Sequence, residues 1–144
     1  MADQFEEAAV PMPRENPDLL GHEQAEKTLL DAWNSGRMPH GWLITGPRGI
    51  GKATLAFRFA RFVLSRDENS GGLFGDAPDS LHTDPESPVF RRVVSEGHGD
   101  LMTLERRMNK DGKRLRGSIV IDEVRAAGRF LSLTAGGGGW RVLA

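Results

Sequence analysis

The chain has 144 residues, of which 38% are hydrophobic and 27% charged, a balance that is typical of one modest globular domain. Its formal net charge of −1 gives no indication that the molecule as a whole is attracted to nucleic acid or to an anionic membrane. The sequence contains no cysteine, which excludes disulfides and cysteine-ligated zinc, and its four histidines are too scattered to form a local metal pair. We therefore expect no metal site.

No apolar run approaches the ~18 residues that a membrane span requires. The first ten residues, MADQFEEAAV, lack the basic segment followed by an apolar one that marks a secretory signal. We therefore expect a cytoplasmic protein without a membrane partner.

The first two predicted segments are a lead-in and a helix. Residues 1–17 contain three prolines among acidic residues, which predicts an extended lead-in. Residues 21–36 place apolar side chains four residues apart, which predicts an amphipathic helix that ends at Gly36. Its predicted buried positions are Ala25, Leu29, Leu30 and Trp33.

A strand, a glycine loop and a helix are predicted next. The apolar segment 42–45 is typical of a buried strand in a parallel sheet. Residues 51–65 repeat apolar side chains with a period of 3.6 and predict a helix. Leu55, Phe59, Phe62 and Val63 share its apolar face, while Arg58 and Arg61 lie off that face.

Residues 66–88 are rich in glycine, proline, serine and acidic residues and lack periodicity, which predicts a flexible insertion. Residues 90–97 form a short helix or turn by their pattern, and residues 99–106 a second strand.

The last third of the chain begins with a polar connection, residues 105–116. The pattern of residues 122–133 predicts a helix that follows a brief extended entry, and a further strand begins at Trp140. The helix is expected to bury Val124, Phe130, Leu131 and Leu133, and the strand contains Val142 and Leu143.

Residues 46–54, GPRGIGKAT, nearly match the phosphate-binding loop pattern, in which Gly-Lys is followed by Ser or Thr. The glycines let backbone amides turn towards phosphate at a helix N-terminus, and the lysine neutralises charge. Ala53 stands where a hydroxyl normally helps to hold Mg²⁺. The hydroxyl of Thr54 lies about 100° further round the helix. The loop thus predicts a site for ATP or ADP without the usual Mg²⁺ ligand; the alternative is a loop that only turns the chain.

The segment SIVIDE, residues 118–123, allows two interpretations. An apolar run that ends in Asp-Glu resembles the acidic motif in which Asp supports a metal and Glu orients water. The alternative is a helix start, because Asp122 and Glu123 in a first turn are stabilised by the helix dipole. Only three apolar residues precede Asp122 and a helical pattern follows at once, which favours the helix start.

Residues 105–116 contain six basic and two acidic residues. Local cationic density of this kind can bind nucleic-acid phosphates. No aromatic residue is interleaved to stack on bases, so a solvated connection is the favoured interpretation.

Residues 16–64, NPDLLGHEQAEKTLLDAWNSGRMPHGWLITGPRGIGKATLAFRFARFVL, resemble the N-terminal region of the bacterial DNA polymerase III delta-prime subunits, which are AAA+ clamp-loader proteins. The markers are Gly-His-Glu at the first helix, Pro39-His40 before the strand, and GPRGIGKATLA. The later segments HGDLMTLER, IVIDEVR and GGGGWRV follow in that family's order.

The resemblance implies a fold and its extent. The fold is the P-loop NTPase class of α/β proteins, a Rossmann-like parallel sheet with flanking helices. Residues 18–144 would be the N-terminal part of an AAA+ nucleotide-binding domain, incomplete and without the lid and collar domains. In this family, IVIDEVR leads into the helix before the true acidic motif. Some members carry a four-cysteine zinc module where this chain has residues 66–88, so zinc is not expected.

The resemblance also implies a function: a structural, non-hydrolysing subunit that helps to load the sliding clamp onto primed DNA in replication. The implied partners are the other clamp-loader subunits and, through the complex, the clamp and DNA. No residue is expected to be catalytic. The alternative is an active AAA+ ATPase in which Thr54 and Asp122 hold the metal. The expected nucleotide-binding residues are Leu20, Gly21, Gly46, Pro47, Arg48, Gly49, Ile50, Gly51, Lys52, Ala53 and Thr54.

Overall fold

The computed structural model of the chain describes residues 9–68, 76–136 and 139–144. Within them it is α/β, as predicted, with a small parallel sheet and flanking helices. No helix in these ranges is long and apolar enough to cross a membrane. The elements are α1 (Glu23–Asn34), α2 (Lys52–Glu68), α3 (Pro88–Val94), β1 (Leu101–Met102), α4 (Ile121–Ser132) and β2 (Val142–Leu143).

Helix α1 confirms the amphipathic helix predicted from residues 21–36. Leu29 is buried, and the other predicted apolar positions pack against the cluster that contains it. The Trp33 ring meets that of Phe62 edge-on, with the centroids 5.3 Å apart. The helix ends where Gly36 takes a φ of +67°, a conformation that glycine adopts without a Cβ penalty.

Helix α2 is the centre of the core because it is buried on two sides. One side joins a cluster of buried residues made of Leu29, Leu55, Phe62, Val63 and Leu81. The other side packs against α3 through a second cluster of Phe57, Leu64, Val89 and Val93. Burial on both sides fixes the position of the helix, and therefore of the glycine loop at its N-terminus.

Residues 42–45 do not form the buried sheet strand that was predicted for them. The segment has no β pairing in the structure, and the sheet of the described residues contains only β1 and β2. The apolar pattern predicted that this segment is buried, but Leu43 is 89% exposed. A strand requires a hydrogen-bonded partner, and local sequence does not supply one.

The predicted insertion, residues 66–88, lies partly outside the described residues. Helix α2 continues three residues past Ser65, and residues 76–87 contain no helix or strand. Leu81, however, is only 2% exposed and belongs to the main core cluster. The segment therefore contributes to the core, which its composition did not indicate.

The sheet confirms the two later strands. β1 and β2 run parallel, with Leu101 opposite Val142 and Met102 opposite Leu143. The amide of Val142 donates to the carbonyl of Asp100 at 2.8 Å, which continues the pairing. Parallel strands need a long crossover, and α4 lies within it.

Helix α4 lies within one residue of its predicted bounds at each end, but its buried face is different. Ala127 is its buried residue, whereas Val124, Leu131 and Leu133 are about half exposed or more, at 48%, 51% and 62%. Phe130 is half-buried under the guanidinium of Arg141, which lies 4.7 Å from the ring centroid. Those three predictions of burial were wrong because periodicity shows that a face is apolar, but not that another element covers it.

Candidate functional site

The glycine loop, residues 46–54, connects the extended segment to α2. Gly46, Gly49 and Gly51 have φ values of +151°, +82° and +103°, a region that residues with a Cβ rarely adopt. Helix α2 begins at Lys52, immediately after the last of them. The loop therefore ends at a helix N-terminus, where unpaired amides favour an anion.

The Lys52 side chain folds back over the loop. Its Nζ donates to the carbonyl oxygens of Gly46 at 2.7 Å and of Pro47 at 2.6 Å. A lysine ammonium has three donors, so one remains for a further acceptor. The cation is thus held at the mouth of the loop, beside the start of α2.

A second contact joins the loop to the residues before α1. The Nε2 atom of His22 lies 2.6 Å from the carbonyl oxygen of Ile50. The Cδ1 atom of Leu19 lies so close that a Cβ on Gly51 would be 3.2 Å from it. The loop and residues 19–22 therefore fit closely.

We call residues 9–20 the N-terminal strap. Strap and glycine loop face each other across an open cavity of about 750 Å³. This volume lies within the range of small-molecule sites. The cavity is lined by Val10, Pro11, Pro13, Asn16, Asp18, Leu19 and Leu20 of the strap and by Gly46, Arg48, Gly49, Ile50, Gly51, Lys52, Ala53 and Thr54 of the loop.

Most of the expected nucleotide-binding residues are in this lining, with two exceptions. Pro47 is outside it, but its carbonyl accepts a hydrogen bond from Lys52. Gly21 is also outside it and turns the chain into α1 with a φ of +76°.

Within the ranges that the structure describes, no cluster of His, Asp and Glu could hold a metal ion.

The structure does not bring Thr54 and Asp122 together in this cavity. Thr54 is 8% exposed and lies in the lining, which does not include Asp122. Asp122 is in the first turn of α4, with its side chain 87% exposed and 3.6 Å from Arg125. Glu123 accepts a hydrogen bond from the Val120 amide at 3.3 Å. These contacts are those of a helix start.

The basic residues 105–116 form a small hairpin closed by an antiparallel bridge between Met108 and Leu115. The side-chain oxygen of Asn109 accepts from the amides of Lys113 and Arg114, which tightens the turn. Arg107 lies 3.4 Å from Glu123 of α4. The hairpin is largely exposed, and binding of nucleic acid to it stays an alternative prediction.

Sequence reasoning missed two residues that bear on the cavity, Arg58 and Arg61 of α2. Both lie off the apolar face, where an arginine is normally solvated, yet Arg61 is only 1% exposed. Both donate to carbonyl groups of the strap. The only signal in the sequence was indirect: an extended, proline-containing segment has carbonyls that need donors from elsewhere.

Substitution of Gly51 by alanine should distort this site. The new Cβ would lie 3.2 Å from Leu19 at a φ of +103°, so we expect the free energy of unfolding to fall by about 1–3 kcal/mol. Chemical denaturation of the full-length protein measures this change. Gly128→Ala is the control, because that site is an exposed helix position with open space, and it should gain about 0.5–1 kcal/mol. Equal stability of the two variants would contradict the prediction.

Comparison with known proteins places the chain in a family. A family model described as DNA polymerase III, delta subunit, matches residues 21–144. The replication factor C small subunit of Methanocella arvoryzae is 33% identical over 72 residues, which cover 50% of this chain and 22% of that protein. No solved structure matches the chain. The family match confirms the resemblance to clamp-loader AAA+ proteins seen in the sequence, and the chain belongs to the DNA polymerase III delta subunit family.

Proposed function

We propose that the chain is the nucleotide-binding region of a delta-prime-like clamp-loader subunit. In this role the subunit assembles with other loader subunits and helps them to place a ring-shaped sliding clamp on primed DNA. It supports the complex and does not hydrolyse ATP itself. The family match supports the assembly role, and Ala53 carries the proposal that hydrolysis is absent.

The loop geometry supports nucleotide binding without hydrolysis. Phosphate would approach the amides at the start of α2 and accept from Lys52, whose ammonium is already held at the loop. The side chain of Ala53 has no oxygen to bind Mg²⁺, which normally neutralises charge as phosphoryl transfer proceeds. A loop with the lysine but without the hydroxyl suits a subunit that holds nucleotide and leaves hydrolysis to its neighbours.

The rival proposal is an active ATPase that obtains its metal ligands from Thr54 and Asp122. The position of Asp122, which is not in the lining of the cavity that contains Thr54, disfavours it. If the purified full-length protein hydrolyses ATP at steady state, and the activity disappears in Lys52→Ala, the non-hydrolysing role is wrong.

Magnesium dependence tests the role of Ala53 directly. Calorimetric titration of the full-length protein with ATP should give dissociation constants that agree within about twofold with Mg²⁺ and with EDTA. Ala53→Thr restores the hydroxyl, and Mg²⁺ should then tighten binding by about tenfold.

The matched control is Ala56→Thr, which adds the same hydroxyl one position beyond the first turn of α2. It should leave the affinity independent of Mg²⁺. Wild-type binding that weakens by about tenfold or more in EDTA would contradict the proposal.

A further inference from the structure

We infer that Arg61 and Arg58 are positioning residues of the nucleotide cavity, because they hold the N-terminal strap in place as the wall opposite the glycine loop. The inference rests on the proposed nucleotide site. It adds two residues that act through the strap and are not in the lining of the cavity.

The two arginines supply hydrogen bonds to three strap carbonyls. Arg61 donates from Nη1 to the carbonyl of Arg14 at 2.9 Å and from Nη2 to that of Asn16 at 2.8 Å. Arg58 donates from Nη1 to the carbonyl of Pro17 at 2.6 Å. The strap has no helix or strand of its own, so these bonds satisfy three carbonyls that no secondary-structure pairing satisfies.

The contacts of each arginine fix its guanidinium. Arg61 is 1% exposed and lies 4.4 Å above the centroid of the Phe90 ring of α3. Burial lowers the pKa of Arg61 to about 10, and the charge of Arg58 acts in the same direction. Arg58 also forms an ion pair with Glu26 of α1. Burying a cation costs free energy unless its N–H donors are hydrogen-bonded. The buried Arg61 therefore favours the strap position in which the carbonyls of Arg14 and Asn16 accept its hydrogen bonds.

The carbonyls that accept these bonds lie among the strap residues that line the cavity. Pro13, Asn16 and Asp18 are lining residues, and the acceptors are at positions 14, 16 and 17. Lys52 and Arg61 lie on the same helix, about two and a half turns apart. Helix α2 thus holds the phosphate end of the cavity directly and the opposite wall through its arginines.

If the arginines act only on the strap wall, their substitution should weaken binding of the whole nucleotide without weakening binding of phosphate alone. In the full-length protein without Mg²⁺, Arg61→Lys should weaken ATP binding by about tenfold, because a single ammonium nitrogen cannot take the places of both Nη1 and Nη2, which reach two different carbonyls. Binding of inorganic tripolyphosphate should change by less than about twofold. Trypsin should also cut the Arg14–Glu15 bond about tenfold faster, because the strap opens more often.

Arg66→Lys is the matched control. This arginine lies further along α2 and stacks over the Phe62 ring at 5.2 Å. It should leave ATP binding, tripolyphosphate binding and cleavage after Arg14 unchanged. If Arg61→Lys does not fold, as judged by thermal unfolding, Arg58→Gln replaces it, and the same split between the two ligands is expected.

Each outcome decides between the two proposals. If the wild type binds neither ATP nor tripolyphosphate, the proposed nucleotide site is wrong and the inference falls with it. If the wild type binds both and the arginine variants match it, or lose both ligands equally, the nucleotide site stands and the positioning role is overturned. A loss confined to ATP, with faster cleavage after Arg14, supports the inference.

Discussion

Lys52→Ala should weaken the binding of ATP to the full-length protein by about a hundredfold, equivalent to about 2.7 kcal/mol. Lys52 supplies the positive charge at the loop, and its ammonium already lies within 2.7 Å of two loop carbonyls. Without the ammonium, phosphate keeps the amides at the start of α2 but loses its cationic partner. Calorimetric titration with ATP and with tripolyphosphate measures the change, which should be similar for the two ligands.

Lys110→Ala is the control for Lys52→Ala. This lysine is exposed on the basic hairpin, so its removal changes the net charge equally without touching the glycine loop. ATP affinity should stay within about twofold of the wild type. If both lysine variants bind ATP as the wild type does, the phosphate contact of Lys52 is wrong. If both lose affinity equally, the effect is one of net charge.

Phe62→Ala should reduce the free energy of unfolding by about 3–5 kcal/mol, the largest stability effect expected in this chain. Phe62 is fully buried at 0% exposure and belongs to the cluster that joins α1, α2 and Leu81. Its ring contacts that of Trp33 edge-on and is stacked with that of Phe59 at 6.4 Å. Removing it leaves a cavity and cancels two aromatic contacts.

Urea denaturation followed by circular dichroism measures this change in the full-length protein. Leu131→Ala is the control, because Leu131 lies on α4 with 51% of its surface exposed. Its replacement should change stability by less than about 1 kcal/mol. A loss for Phe62→Ala below that value would show that the α1–α2 cluster does not carry the stability of this region.

The sequence predicted best where the physical signal was local. The period of 3.6 residues located α1, α2 and α4 to within a few positions. The spacing of Gly46, Gly51 and Lys52 predicted a glycine loop that leads into a helix, and α2 begins at Lys52. The same residues carried the family resemblance that the comparisons confirm.

The predictions failed where burial depends on a distant partner. Val124 and Leu131 have the spacing of a core face, but no neighbouring element covers them in the described structure. Leu81 lies in a segment whose composition is typical of a loop, yet it fills the gap between α1 and α2. Periodicity records which residues share a side, and only packing decides whether that side is covered.

The amino-acid sequence was sufficient for the order of the helices, the glycine loop and the departure at Ala53, because each depends on residues within one or two turns of each other. It was also sufficient for the family. The strap's position against α2 and the burial of Arg61 required the tertiary structure. These features depend on donors and acceptors 41 to 47 residues apart, and no local pattern specifies which of them meet.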